Sequence, residues 1–201
     1  NKRWILTGED VESLSDIERC GLGFHISGFF DKVLDINECH LQDKPSNEIR
    51  NWIKAYAIEN SLSFFDLREQ VGFLRNLVVR TASTSEVMVT VVFGPDAIED
   101  MDKVTSLLDS LSAYFPQITS LNYVINSKKN DTIGDLTIIN YSGRDCIYEQ
   151  MDDLKFKIGP KSFYQTNSEQ AYRLYSVVRD FVRDAIDAES ISDPTIYDLY
   201  T

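Results

Sequence analysis

The chain changes character near residue 158, and this change constrains the fold more than any other feature. Before it, short apolar segments alternate with two helical patterns. After it, Gly159–Asn167 leads into an amphipathic helix of about 20 residues, and a second apolar stretch runs to Tyr200. A helix followed by a strand is how a nucleotide-type α/β domain begins, and the ligand crevice of such a sheet lies beyond the carboxyl ends of its strands. We therefore place a domain boundary near residue 158 and expect Tyr200 at the lip of a crevice.

The first 158 residues predict an α+β domain with one mostly antiparallel sheet and helices packed on it. Apolar residues at steps of three and four predict a helix over 46–62, capped by Asp43 or Ser46. A second helix begins at the capping-box spacing of Asp96 and Glu99 and ends at Pro116. Alternating and β-branched runs predict strands over 21–27, 31–36, 74–82, 86–93, 118–126, 135–141, 146–150 and 154–158. The pair 135–141 and 146–150 is expected to form a hairpin.

Composition restricts the class of protein. The net charge of −12 argues against a general nucleic-acid-binding surface, because phosphate contacts need Lys and Arg. No apolar run approaches the roughly 18 residues that span a bilayer. Three dispersed cysteines without a C-x-x-C pair favour a reduced, cytoplasmic setting. Since the chain lacks a start methionine and stops where a cofactor loop should begin, we expect truncation at both ends.

The segment Lys155–Asn167, with Phe163, Gln165 and Asn167 at alternate positions, resembles the Phe-x-Gln-x-Asn segment of the RNA uracil-5-methyltransferases. Asp198–Thr201 is similar to the lead-in of that family's glycine-rich cofactor loop. Further similarities to the family's central domain lie at Gly23-Phe24-His25, 29–36, Cys39, 74–80 and Gly134-Asp135.

The resemblance implies an S-adenosylmethionine-dependent enzyme that makes 5-methyluridine in ribosomal or transfer RNA, with 23S rRNA as the expected substrate. In that chemistry a cysteine thiolate adds to C6 of uracil so that C5 can attack the methyl group, and a base then removes the C5 proton. The resemblance places both residues beyond position 201. Residues 1–158 would then be a central RNA-facing domain, and 159–201 the first helix and strand of a Rossmann-like methyltransferase domain. We expect this chain alone to be inactive and to have negligible cofactor affinity.

Four positions are candidate site residues by the same resemblance. Gln165 and Tyr200 would contact S-adenosylmethionine, since an amide offers both donor and acceptor groups. Phe163 would line the pocket for a flipped-out uracil. Cys39 matches the last of four cysteines that hold a 4Fe-4S cluster in some members, so it could be a ligand only in a full-length protein, and no cluster is expected here. The alternative is that Gln165 caps the helix while Phe163 and Tyr200 simply pack.

Contacts to RNA can be predicted only from charge. The candidates are Arg75, Arg80, Lys128, Lys129 and Arg144, and each could equally be a solvated surface residue. Period two places Arg75 and Arg80 on opposite faces of a strand unless a bulge intervenes. Two other functions stay open: a non-catalytic RNA-binding or scaffold module, and a methyltransferase with a non-RNA substrate. The expected partner is RNA and not a membrane, and the oligomeric state is undefined.

Overall fold

The structure is a computed structural model that describes residues 2–3, 19–190 and 192–197. The chain divides into two compact units, Asn1–Ser162 and Phe163–Thr201. The predicted assignment of these regions to an RNA-facing domain and a methyltransferase domain stays a prediction.

The described part of the first unit contains three sheets and two α-helices. The four-stranded sheet has the order β4-β5-β6-β7, the three-stranded sheet the order β1-β3-β2, and β8 pairs with β9 alone. The strands are β1 (Lys2–Arg3), β2 (Phe24–Ile26), β3 (Phe29–Leu34), β4 (Leu74–Thr81), β5 (Val87–Phe93), β6 (Ile118–Ile125), β7 (Ile139–Gly143), β8 (Ile147–Met151) and β9 (Leu154–Ile158), and the helices are α1 (Lys44–Glu59) and α2 (Met101–Tyr114).

The α+β class is confirmed, but the single sheet of the sequence-based prediction is wrong. In the four-stranded sheet, β5 and β6 run parallel, whereas β4 and β7 pair antiparallel at the two edges. A parallel pair needs a crossover connection. Here a 3-10 turn over Pro95–Ile98 and helix α2 supply it.

The core lies between this sheet and the two helices. All seven residues of β5 are buried, and Val89 and Val91 pack with Ile53 of α1 and Leu107 of α2. A continuous run of β-branched residues is typical of a strand buried on both faces. The hydrophobic stripe of each helix therefore covers one face of the sheet.

The opposite face of the sheet is buried as well, but it is partly polar. Ser120 and Asn122 of β6 are buried there, and the Asn122 side-chain amide donates to Ser120 Oγ at 3.0 Å. Asn140 of β7 in turn donates to Asn122 Oδ1 at 3.1 Å. These bonds satisfy polar groups whose burial without partners would be costly.

The β8–β9 hairpin is fastened to the turn that joins β4 to β5. The buried carboxylate of Glu149 accepts hydrogen bonds from the backbone and hydroxyl of Ser83. In the same region Thr84 Oγ1 donates to the carbonyl of Tyr148 at 2.6 Å, and the Tyr148 N–H donates to Glu86 at 2.7 Å. The hairpin therefore belongs to the first unit.

The predicted hairpin of residues 135–141 with 146–150 is wrong. Strand β7 pairs with β6, and β8 pairs with β9, so the two neighbours in sequence belong to different sheets. The chain leaves β7 at Gly143, which has φ +75°. A Cβ at this glycine would lie 2.3 Å from the carbonyl oxygen of Thr119 on the adjoining strand. Only glycine accepts both the left-handed backbone and this close approach.

The helix caps differ partly from those predicted. Helix α1 begins after Asp43, as expected, but the Asp43 carboxylate accepts from Thr81 Oγ1 at 2.9 Å and makes no side-chain cap bond. The predicted cap of α2 at Asp96 is wrong, because Asp96 lies in the 3-10 turn and Asp100 accepts from the N–H of Lys103. Asp96 and Asp100 lie four residues apart, and either could have capped the helix. Because Asp96 lies in the 3-10 turn, Asp100 is the residue that caps α2.

The described part of the second unit is dominated by α3 (Ser168–Glu189), whose N-cap Asn167 accepts from the Gln170 N–H, as predicted. Residues 192–197 form no strand. The rest of the predicted strand, with Tyr200, lies outside the described residues.

The close approach at Gly143 predicts a large effect for a small substitution. Gly143→Ala is expected to lower the free energy of unfolding by about 1–3 kcal/mol, because alanine meets both backbone strain and the Thr119 carbonyl. Urea unfolding followed by tryptophan fluorescence, to which Trp52 beside the core contributes, measures the change.

Gly134→Ala is the matched control, because a Cβ at the exposed Gly134 has nothing within 4 Å. It carries the same unfolded-state entropy change and should alter stability by less than about 0.5 kcal/mol. Equal effects at the two glycines would contradict the packing described for Gly143.

Candidate functional site

The segment after β9 begins with a tight turn that is fixed to the first unit. The Gly159 N–H donates to Ser162 Oγ at 3.0 Å, and the Ser162 N–H donates to the Gly159 carbonyl at 3.1 Å. Arg80 of β4 donates to the carbonyl of Ser162 at 2.6 Å and to that of Pro160 at 3.4 Å. The turn thus holds the last residues of the first unit in a defined position.

The candidate residues that follow this turn are exposed. Phe163 is 86% exposed, and Gln165 is also exposed. Asn167 rather than Gln165 caps α3, so capping does not occupy the Gln165 amide. The Phe163 ring and the Gln165 side-chain amide, two residues apart, can both contact a ligand. The ring can stack on it, and the amide can donate and accept hydrogen bonds. Tyr200, which was predicted to contact the cofactor together with Gln165, lies outside the described residues.

Arg75 is one of the predicted RNA contacts, but its side chain is buried and donates hydrogen bonds to groups within the chain. The guanidinium is 1% exposed. It donates to the carbonyls of Asn126, Lys128 and Asn130 at 2.6–2.9 Å and to the carboxylate of Asp131 at 3.0 and 3.1 Å. One buried cation therefore organises the loop that follows β6.

A β-bulge places Arg75 in this position. The pairing of β4 with β5 shifts between Leu74 and Asn76, so Arg75 is the extra residue of the bulged strand. The guanidinium carbon of Arg75 lies 4.3 Å from the centroid of the Phe65 ring. The simple alternation used for the sequence-based prediction therefore does not apply at Arg75.

The other nominated cations are also partly committed to internal partners. Burial lowers the pKa of Arg80, which donates to the two carbonyls described above. A hydrogen bond from Lys128 lowers the pKa of Asp135, and one from Arg144 lowers the pKa of Glu86. Lys129 is exposed. Four of the five nominated cations therefore donate to partners within the part of the chain that the structure describes, and Lys129 is the exception among them.

Comparisons with known proteins agree with the resemblance in the sequence. An uncharacterized RNA methyltransferase of Porphyromonas gingivalis is 53% identical over 206 residues, covering 100% of this chain and 42% of that relative. An uncharacterized RNA methyltransferase of Bacteroides thetaiotaomicron is 48% identical over 201 residues, covering 100% of the chain and 43% of the relative. The whole chain is therefore similar to one part of these RNA methyltransferases.

Two further relatives have names that state the RNA and the base that they methylate. The tRNA (uracil(54)-C(5))-methyltransferase of Pyrococcus furiosus is 34% identical over 163 residues, covering 80% of the chain and 37% of that relative. The crystal structure of the Pyrococcus abyssi tRNA (uracil-54, C5)-methyltransferase, in complex with S-adenosyl-L-homocysteine, matches with a TM-score of 0.60 and 32% identity, covering 80% of the chain and 38% of that structure. The chain matches no protein-family model.

The chain spans less than half the length of the relatives that it matches. The predicted likeness to RNA uracil-5-methyltransferases is confirmed, and so is the α+β class. The roles of Phe163, Gln165 and Tyr200 stay predictions.

The described residues do not fit an iron–sulfur cluster. They contain no group of three or more His, Cys, Asp or Glu side chains that could hold a metal ion. Cys39 is half-buried, and its backbone is held by Asn47, which donates to the Cys39 carbonyl at 3.0 Å and accepts from the Cys39 N–H at 2.9 Å. A cluster of this type needs four thiolates, and Cys39 stays only the predicted fourth ligand of a longer protein.

Within the described ranges, no helix is long and apolar enough to cross a membrane.

The internal role of Arg75 predicts a stability defect. Arg75→Met keeps an apolar stem but removes every donor to the loop, which leaves buried carbonyls and a carboxylate without their partner. We expect the free energy of unfolding to fall by about 3–5 kcal/mol, as measured by urea denaturation.

Arg173→Met is the matched control. Arg173 lies on α3, is largely exposed, and pairs with Glu169 one turn away. Its loss should change stability by less than about 0.5 kcal/mol. A stable Arg75→Met variant with weakened RNA binding would instead restore Arg75 as an RNA contact.

Proposed function

We propose that the protein containing this chain transfers a methyl group from S-adenosylmethionine to C5 of a uridine in RNA. The observation that carries the proposal is similarity over the whole chain to RNA methyltransferases, with the Phe163–Asn167 segment presented at the start of a capped helix. The exposed ring and amide of this segment suit contacts to a substrate base and to the methyl donor.

The two units have different proposed tasks. The first, with its mixed sheet, contacts RNA, and the second begins the cofactor domain. Gln165 would donate to and accept from polar groups of S-adenosylmethionine, and Tyr200 would pack beside it. Phe163 would lie against the uracil that has been taken out of its stack, since a base-modifying enzyme must reach the target atom. When bound, S-adenosylmethionine supplies an electrophilic methyl group.

The catalytic cysteine and the base that removes the C5 proton are proposed to belong to a segment beyond residue 201. Cys20 and Cys39 are half-buried and Cys146 is buried. No step of the reaction is assigned to these thiols. The part of the mechanism proposed for this chain is therefore positioning of the base and of the methyl donor.

The proposed RNA is transfer RNA. Two relatives whose names give a substrate, from Pyrococcus furiosus and Pyrococcus abyssi, are tRNA uracil-54 methyltransferases. The 23S rRNA expected from the sequence resemblance stays an alternative substrate, and the same experiment tests both.

The direct test uses the full-length natural protein with S-adenosylmethionine carrying a tritiated methyl group. Unmodified tRNA and 23S rRNA transcripts are supplied in parallel, and nucleosides are separated after digestion. We expect label in 5-methyluridine from tRNA. Label only in 23S rRNA would correct the substrate, whereas label in cytidine or adenosine, or none in any RNA, would contradict the proposed reaction.

The proposed cofactor contact predicts a specific kinetic defect in the same full-length protein. Gln165→Ala should raise the KM for S-adenosylmethionine by about 10-fold, because it removes hydrogen bonds to a bound ligand. Initial rates at varied methyl-donor concentration measure the change.

Gln117→Ala is the control, since Gln117 is an exposed glutamine in the turn between α2 and β6. It should leave the KM unchanged. A Gln165→Ala enzyme with normal kinetics would remove Gln165 from the cofactor site while leaving the reaction itself in place.

A further inference from the structure

The first two residues of β3, directly after the β2–β3 turn, present adjacent aromatic rings to solvent. Phe29 is 51% exposed and Phe30 is 65% exposed. Successive residues of a strand point to opposite faces, so the hairpin carries a ring on each side. Gly28, with φ +85°, makes the turn that places them at the tip.

A cation lies against one of these rings. The guanidinium carbon of Arg68 is 5.0 Å from the centroid of Phe30. Arg68 Nε also pairs with the buried carboxylate of Asp31, while the arginine side chain remains 56% exposed. Because this pair uses Nε and more than half of the side chain is exposed, an anion can reach the guanidinium group from solvent.

A second cation lies on the same strand as these rings. Lys32 follows Asp31 in β3 and is half-buried, on the same strand face as the exposed Phe30. Two acidic side chains lie close to Arg68. Asp31 pairs with Arg68 Nε, and the Asp66 carboxylate accepts from the backbone N–H groups of Arg68 and Glu69.

An open hollow of about 550 Å³ lies beside the rings. Its lining includes His25, Phe29, Phe30, Leu67 and Asp131. The Asp131 carboxylate accepts from Arg75 at 3.0 and 3.1 Å, which neutralises the acidic group of the hollow. The volume lies within the range of about 300–1,000 Å³ that is usual for ligand pockets.

We propose that this aromatic tip, defined as Phe29, Phe30, Lys32 and Arg68, binds an unpaired stretch of the RNA substrate, with one base stacked on Phe30. This inference rests on the proposed function. Base-aromatic stacking is the usual way in which proteins hold unpaired nucleotides, and nearby Arg and Lys neutralise the phosphates. An exposed aromatic ring with Arg68 against it and Lys32 on the same strand face suits this ligand, because the ring can stack on a base while the two cations lie near its phosphates.

The test measures binding of the full-length natural protein to a fluorescein-labelled tRNA transcript by anisotropy at fixed salt. Phe30→Ala should weaken binding by about 5- to 150-fold, the range for loss of one stacked base. Phe30→Trp should keep at least wild-type affinity, since it retains a stacking face. Leu41→Ala, at an apolar residue that is 97% exposed on the β3–α1 connection, should stay within about twofold of wild type.

A salt titration and a crosslink give independent readouts. Lys32→Gln should reduce the slope of log affinity against log salt by about 1. Ultraviolet crosslinking of the wild-type complex, followed by mass spectrometry, should attach RNA to a peptide containing residues 24–34, whether or not the alanine variant folds.

Two results would overturn the inference. One is RNA affinity of Phe30→Ala within about twofold of wild type, which would show that no base stacks on this ring. The other is crosslinks that avoid residues 24–34. Either result can occur in an enzyme that still methylates uridine, so the proposed function would stand. Loss of RNA binding in Phe30→Ala without any methyl transfer by the wild type would support the tip and contradict the proposed reaction.

Discussion

Burial of β5 on both faces is the constraint on which the rest of the first unit depends. Its odd-numbered residues pack with α1 and α2, and Met88 and Thr90 on the other face are buried as well. A strand with both faces buried needs neighbours on both edges and layers on both sides. The antiparallel β4, the parallel β6 and the crossover helix α2 are the elements that meet this need.

Two arginine side chains of β4 connect this sheet to neighbouring loops. Arg75 gathers the loop after β6, and Arg80 holds the Pro160–Ser162 turn from which the candidate cofactor segment continues. Both guanidinium groups donate to backbone carbonyls of the first unit, so each one stabilises a connecting segment.

Much of the secondary structure follows from local patterns. The β-branched runs at β4 and β5, the stripe of α1 and the Asn167 cap of α3 were all predictable, because each depends on residues close in sequence. Pairing of β7 with β6 was not, since it depends on the close approach of Gly143 to Thr119. The bulge at Arg75 could not be predicted from the sequence either, because tertiary contacts decide where a strand register shifts.

The candidate site divides in the same way. Phe163 and Gln165 could be found from a short motif, and the structure adds that both are exposed beside a cap made by another residue. The five basic candidates were chosen by charge, and charge does not distinguish a buried guanidinium from a solvated one. Phe29 and Phe30 were assigned to no strand from the sequence, whereas they begin β3; their exposure and the position of Arg68 required coordinates.

The central claim is that the natural protein methylates C5 of a uridine in RNA. Quantitative mass spectrometry of nucleosides from purified tRNA and rRNA, taken from the natural host with and without the gene, tests it most directly. The account predicts that 5-methyluridine falls in tRNA of the deletion strain and returns when the gene is restored. Unchanged 5-methyluridine in both RNA classes, with a different methylated nucleoside lost, would contradict it.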